Sequence, residues 1–162
     1  MNKNWILLFC LTLVIFGLAG SYFYFTSISP LLAHNSDTFY VEEREGQLVT
    51  LGNRSLLGSI KLDKVKVNQN QYPSEAFVIK SSIKEGLPIS EFESHEKVDI
   101  EEVVMNRHAN PQKQLEELRS GKLKEEEAVV HGLYVLHSEE INQILISYSI
   151  LGISYEEHLI IP

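Results

Sequence analysis

The sequence predicts a mainly β (α+β) protein: an N-terminal transmembrane helix, then an antiparallel sheet or sandwich domain carrying one short helix near residues 111–120. Three observations carry this prediction. Residues 5–25, WILLFCLTLVIFGLAGSYFYF, contain no charged side chain. From residue 37 onward, apolar side chains recur mostly at alternate positions, the period of a half-buried strand. Turn residues break these runs at short intervals, and strands do not alternate with helices, which argues for antiparallel pairing.

The anchor comes first. A helix of 21 residues spans roughly 31 Å, close to the ~30 Å hydrocarbon core of a bilayer. Twelve of the 21 are Leu, Ile, Val or Phe. Near the bilayer centre they favour insertion by about 4–7 kcal/mol as an upper bound. Gly17 and Gly20 offset part of this. Trp5 at one end and Tyr22 and Tyr24 at the other suit the two interfaces. Lys3 precedes the segment, and the next basic residue is Arg44, behind Asp37, Glu42 and Glu43. The bias places residues 1–4 in the cytoplasm and the C-terminal domain outside the cell membrane, as in a single-pass signal-anchor protein. The alternative is a cleaved signal peptide, cut after Ala19 or after Ser21. The apolar run through Tyr22-Phe23-Tyr24-Phe25 exceeds the usual signal core. Neither a lipidated cysteine nor a myristoylated glycine fits, since Ser21 and Asn2 occupy the relevant positions.

Residues 26–36 read as a stalk, with Ser27, Ser29, Pro30, Asn35 and Ser36 opposing regular structure. Residues 37–162 are long enough for one domain with its own core. Cys10, in the apolar segment, is the only cysteine, so that domain has no disulfide and no thiolate chemistry. Its stability must come from packing.

Thr38 to Glu43 is the first predicted strand, with Phe39 and Val41 on one face. Gly46 predicts a turn, Gln47 to Leu51 a second strand, and Gly52-Asn53 another turn. Ile60 to Val67 is a third strand whose apolar set changes phase between Leu62 and Val65, which predicts a bulge or two pieces. There Lys61, Asp63, Lys64 and Lys66 face water. A polar loop, Asn68 to Gln71, precedes Tyr72-Pro73. Glu75 to Ser82 is a fourth strand, with Phe77 and Ile79 opposed to Ala76 and Val78.

Residues 90–106 fit two templates. Ser90 and Glu93 have capping-box spacing. Ile100, Val103 and Val104 suit a helix, while Val98, Ile100 and Val104 suit a strand, which is the reading taken. Asn110 and Pro111 open a helix that Gly121 closes, and Leu115 and Leu118 must pack on the sheet. The last third is β. Val129, Leu133 and Val135 alternate with Val130, Tyr134 and Leu136, two apolar rows that suit a central strand. Ile144, Ile146, Tyr148 and Ile150 line one face of the next strand, and Ile153, Tyr155, Leu159 and Ile161 resume the pattern after Gly152.

Net charge is −8, and beyond Lys3 the chain holds 13 basic and 22 acidic residues. This disfavours nucleic acid as a partner, because nothing neutralises phosphates. No G-x-S-x-G, Walker or G-x-G-x-x-G pattern occurs. His95-Glu96-Lys97-Val98-Asp99 resembles a zinc-protease helix in part, but Asp99 replaces the second imidazole; an exposed polar segment is the plainer account. His131 and His137 share one face of a strand but lie roughly 20 Å apart, too far to hold one ion. His108 and His158 have no nearby partner in sequence. The runs Glu125-Glu126-Glu127, Glu139-Glu140 and Glu156-Glu157 lack the pattern of a calcium loop and read as solvated charges. Asn53-Arg54-Ser55 is a glycosylation sequon that a turn explains equally well.

No catalytic residue, cofactor or metal ligand is therefore assigned. The partners expected are the lipid bilayer, through residues 5–25, and a protein or envelope component bound by residues 37–162. The alternatives are an anchored hydrolase or metal-dependent enzyme using His95, His108, His131 or His158, and a secreted ligand binder released by signal peptidase.

Overall fold

A computed structural model describes residues 5, 8–17, 20, 29–42, 44–90 and 92–162. The chain falls into two compact units, residues 1–30 and residues 31–162. In the first, residues 8–17 are helical (α1), with Thr12 Oγ1 donating to the Leu8 carbonyl at 2.8 Å. The rest of the expected anchor, apart from Trp5 and Gly20, lies outside the described residues, as do residues 1–4 and the two possible cleavage points. Among the described residues no helix is long and apolar enough to cross a membrane. A spanning helix over residues 5–25 is therefore an expectation of the sequence that the described residues do not support.

The second unit is mainly β. Among the described residues its strands are β1 (Leu31–Val41), β2 (Arg44–Asn53), β3 (Ile60–Val67), β4 (Glu75–Ser82), β5 (Lys97–Val98), β6 (Val104–Met105), β7 (Val129–His137), β8 (Gln143–Ile150) and β9 (Ile153–Ile160). Helix α2 spans Pro111–Arg119. A five-stranded sheet has the order β1-β2-β7-β4-β5 and a four-stranded sheet the order β6-β3-β8-β9. Every pairing is antiparallel.

The two apolar rows of β7 explain why it takes the middle of the larger sheet. Leu133 and Val135 join Val49, Leu51 and Val78 in the core between the sheets, against Ile60, Leu62, Ile144, Ile146 and Tyr148 of the smaller sheet. Tyr134 and Leu136 point the other way, into a second cluster with Phe39, Leu48, Phe77, Ile79 and Phe92. The β4–β5 connection covers this outer cluster. Phe92 lies 5.3 Å from Phe39 and 5.6 Å from Tyr134, centroid to centroid. The Tyr134 hydroxyl donates to the Pro88 carbonyl at 2.5 Å. Burial raises that hydroxyl's pKa to about 12. β4 has the expected two faces, Phe77 and Ile79 in the outer cluster and Val78 in the inner core.

Bulges shape both sheets. In β3 the register against β8 shifts between Leu62 and Lys64, where the phase change predicted it. In β1 the shift falls between Asn35 and Asp37. Leu31 and Ala33 therefore pack on the inner core, while Phe39 and Val41 pack on the outer cluster. One extra residue exchanges the faces of a strand.

Several expectations need correction. Residues 31–36 are strand, not stalk: Leu31 is 1% exposed, and its burial with Ala33 against the inner core compensates for the polar residues that follow. Gly46 and Gly52-Asn53 lie inside β2 and make no turn. Reversal occurs where Val41 pairs with Arg44, next to Glu42 at φ 56°. Gly46 is needed for space, because a Cβ there would collide with the Phe39 ring. Residues 90–106 form neither one strand nor one helix. A short 3-10 turn at Phe92–Ser94 precedes the two-residue strand β5, and another at Ile100–Glu102 separates it from the two-residue strand β6. Their apolar residues serve different cores, Phe92 the outer one and Ile100, Val103 and Met105 the inner one, so no single period fits them. Helix α2 begins as expected, with Asn110 Oδ1 accepting from the Lys113 N–H at 3.2 Å. Its leucines do not pack fully on the sheet: Leu115 is 40% exposed, and Gln114 is the buried residue, its amide donating to the His108 carbonyl at 2.8 Å.

Candidate functional site

The histidines singled out in the sequence occupy unrelated settings. His131, on the inward row of β7, is 6% exposed, and its Nδ1 has no hydrogen-bond partner. Desolvation, followed by the nearby Lys80 charge, lowers its pKa from 6.5 to about 4, so it is neutral near pH 7. His137 is buried at the other end of β7, with Nε2 3.1 Å from Gln71 Oε1. His95 is exposed, with Nδ1 3.4 Å from Ser94 Oγ. His108 Nε2 accepts from Arg107 Nε at 3.1 Å, and His158 Nδ1 lies 2.9 Å from Gln143 Nε2. Asp99 caps the Ile100–Glu102 turn by accepting from the Glu101 N–H at 3.2 Å, and no helix joins it to His95. Among the described residues no group of three or more His, Cys, Asp or Glu side chains is placed to hold a metal ion.

The acidic runs also separate. Glu125 pairs with Lys84 at 3.2 Å, the Glu140 carbonyl accepts from Asn68 Nδ2 at 2.9 Å, and Glu156 and Glu157 lie on the last strand. The sequon asparagine is fully buried. Asn53 Nδ2 donates to the Met105 carbonyl at 3.0 Å and the Gly58 carbonyl at 3.2 Å, while its Oδ1 accepts from Ser55 Oγ at 2.6 Å. That side chain organises the β2–β3 connection and offers no amide for modification.

Concave surface occurs elsewhere. Ile83, just after β4, is shared by two open clefts. One, of about 330 Å³, lies between the outer face of the larger sheet and the segment 83–89, with Leu48, Leu87, Ile89 and Val130 among its walls. The other, of about 420 Å³, is walled by Leu115 and Leu118 of α2 with Leu123 and Ala128, and rimmed by Lys84, Arg119 and Glu125. Both are predominantly apolar, with charge at the rim, a composition that receives apolar side chains from a partner. The leucines expected in the sheet interface line the second cleft instead.

A third cavity, of about 560 Å³, lies on the outer face of the smaller sheet and is lined by residues with polar or charged ends: Asp63, Lys64, Ser147, Ser154, Tyr155 and Glu156. Strand register creates it. Lys64 stands opposite Ser147, and Ser147 opposite Glu156. One strand step away Lys61, Ser149 and Ser154 form a parallel row. Small hydroxyls thus floor a trough between long side chains of β3 and β9. Sequence reasoning placed Lys61, Asp63 and Lys64 in water but could not connect them with Ser147 or Glu156, 83 to 95 positions onward. The bulge is the one local signal, because it puts Asp63 at the unpaired position.

No protein-family model, curated protein or solved structure matches this chain.

Proposed function

We propose that this is a single-pass membrane protein, anchored through residues 5–25, whose extracytoplasmic β-rich domain binds another protein or an envelope component. The observation that carries this reading is the charge-free 21-residue segment ahead of a self-contained β unit. The described part of that segment adds support. Leu8, Phe9, Leu11, Leu13, Val14, Ile15 and Phe16 are each at least 55% exposed, so α1 is apolar on all sides, as a helix in lipid is. The apolar clefts flanking Ile83 supply a surface for a protein partner.

The test is fractionation combined with protease protection. The full-length chain should resist alkaline carbonate extraction, and protease added to intact cells should digest the β unit. Release into the aqueous fraction, or a β unit protected until the membrane is broken, would overturn the placement. A mature chain starting at Gly20 or Tyr22 would mean secretion without an anchor.

A further inference from the structure

We infer that the trough on the outer face of the smaller sheet is a binding site for a neutral polyhydroxylated ligand, a saccharide. The first ground is an unused buried hydroxyl. Ser147 is 8% exposed, its Oγ has no hydrogen-bond partner, and it lines the cavity. A buried hydroxyl left unpaired is costly, and a ligand hydroxyl that reached it as a flanking side chain swung aside would satisfy it as donor or acceptor. The second ground is the bulge, which orients two side chains. With Asp63 as the extra residue, Lys64 stays on the outer face opposite Ser147 while Val65 turns into the core. Ser149 Oγ donates to Asp63 Oδ1 at 3.3 Å and so braces that carboxylate at the trough.

The charges select the ligand. Lys64 flanks Ser147 on β3, Glu156 flanks it on β9, and Asp63 lines the same trough. An anion would meet two carboxylates, and a metal ion would meet the ammonium. A sugar hydroxyl both donates and accepts, so adjacent hydroxyls can bridge the ammonium, a carboxylate and the Ser147 hydroxyl together. The cavity volume falls within the range of small-molecule sites.

This names a ligand class for the domain that faces the envelope in the reading above, but it stands on the trough residues and is read independently of carbonate extraction. The full-length chain would be held in dodecylphosphocholine micelles, which present no sugar headgroup. Saturation-transfer NMR would be recorded with maltotetraose, cellotetraose and chitotetraose. Transfer to at least one is expected, with affinity lowered about tenfold by Ser147→Ala and by Glu156→Gln. Ser147→Ala should leave Tm unchanged or raise it, because it deletes an unpaired buried hydroxyl, whereas a purely structural serine would lower Tm without touching ligand affinity. Glu156 is exposed on β9, so Glu156→Gln keeps the test open should the first variant unfold. No transfer from any of the three sugars at about 10 mM, an affinity in both variants equal to the parent's, or binding of inorganic phosphate in their place would overturn the inference.

Discussion

Single side chains decide much of this fold by what they do with buried polarity. His131 carries a definite pH signature. Its folded-state pKa, about 4, lies below the ordinary 6.5, so between those values the unfolded chain binds a proton that the folded chain refuses. Its contribution is fully present above 6.5 and is lost as pH falls toward 4. The loss should reach about 2–3 kcal/mol near pH 4.5. Urea melts of the parent and of His131→Leu at both pH values would check it: the parent should lose more on acidification, by that amount. Were the two to lose the same, the buried neutral imidazole would have no thermodynamic role. Tyr134 spends its polarity differently, tying the covering segment to the sheet through the Pro88 carbonyl. Tyr134→Phe should cost about 1 kcal/mol and accelerate proteolysis within residues 83–96, which limited digestion would reveal.

At the level of elements, glycines and bulges set where one piece of chain meets another. Gly52 sits in β2 under the start of α2. A Cβ there would lie 2.8 Å from Pro111 Cδ and 2.9 Å from the Ala109 carbonyl oxygen, which also accepts from the Asn53 N–H at 2.8 Å. Because one obstacle is backbone already held by a hydrogen bond, Gly52→Ala should destabilise by about 1–3 kcal/mol in a denaturant titration. Gly132→Ala meets only side-chain ends, those of Leu87 and Leu48, and should cost less. A smaller loss at Gly52 than at Gly132 would show that the α2 junction yields easily. The bulges at Ser36 and Asp63 act on whole strands, the first sending Phe39 outward and the second holding Lys64 at the trough.

For the molecule as a whole, the order β6-β3-β8-β9 makes the last strand one wall of the smaller sheet. Tyr155 stacks on Tyr148 at 5.5 Å, and Ile161 is 9% exposed. Deleting residues 153–162 would open the inner core along β8. A chain so truncated should lose its cooperative thermal transition by circular dichroism, and retention of the parent's Tm would contradict the assigned order. Alternation and turn residues made the antiparallel β character, the faces of β4, the β3 bulge and the start of α2 legible, because local periods record which side of one element is buried. The same alternation misplaced the start of β1, since a bulge reverses the faces and Asn35 and Ser36 imitate a stalk. It read residues 90–106 wrongly as one strand, because their apolar side chains serve two cores. The trough was invisible as well, its floor and walls coming from three strands brought together only by register. The sequence by itself determined the solvent preference of each segment: an uncharged apolar front, an acidic remainder and a β period. Tertiary structure alone decided which distant residues face one another, because pairing and bulges are set by the joint packing of two sheets, and no single stretch of chain contains that information.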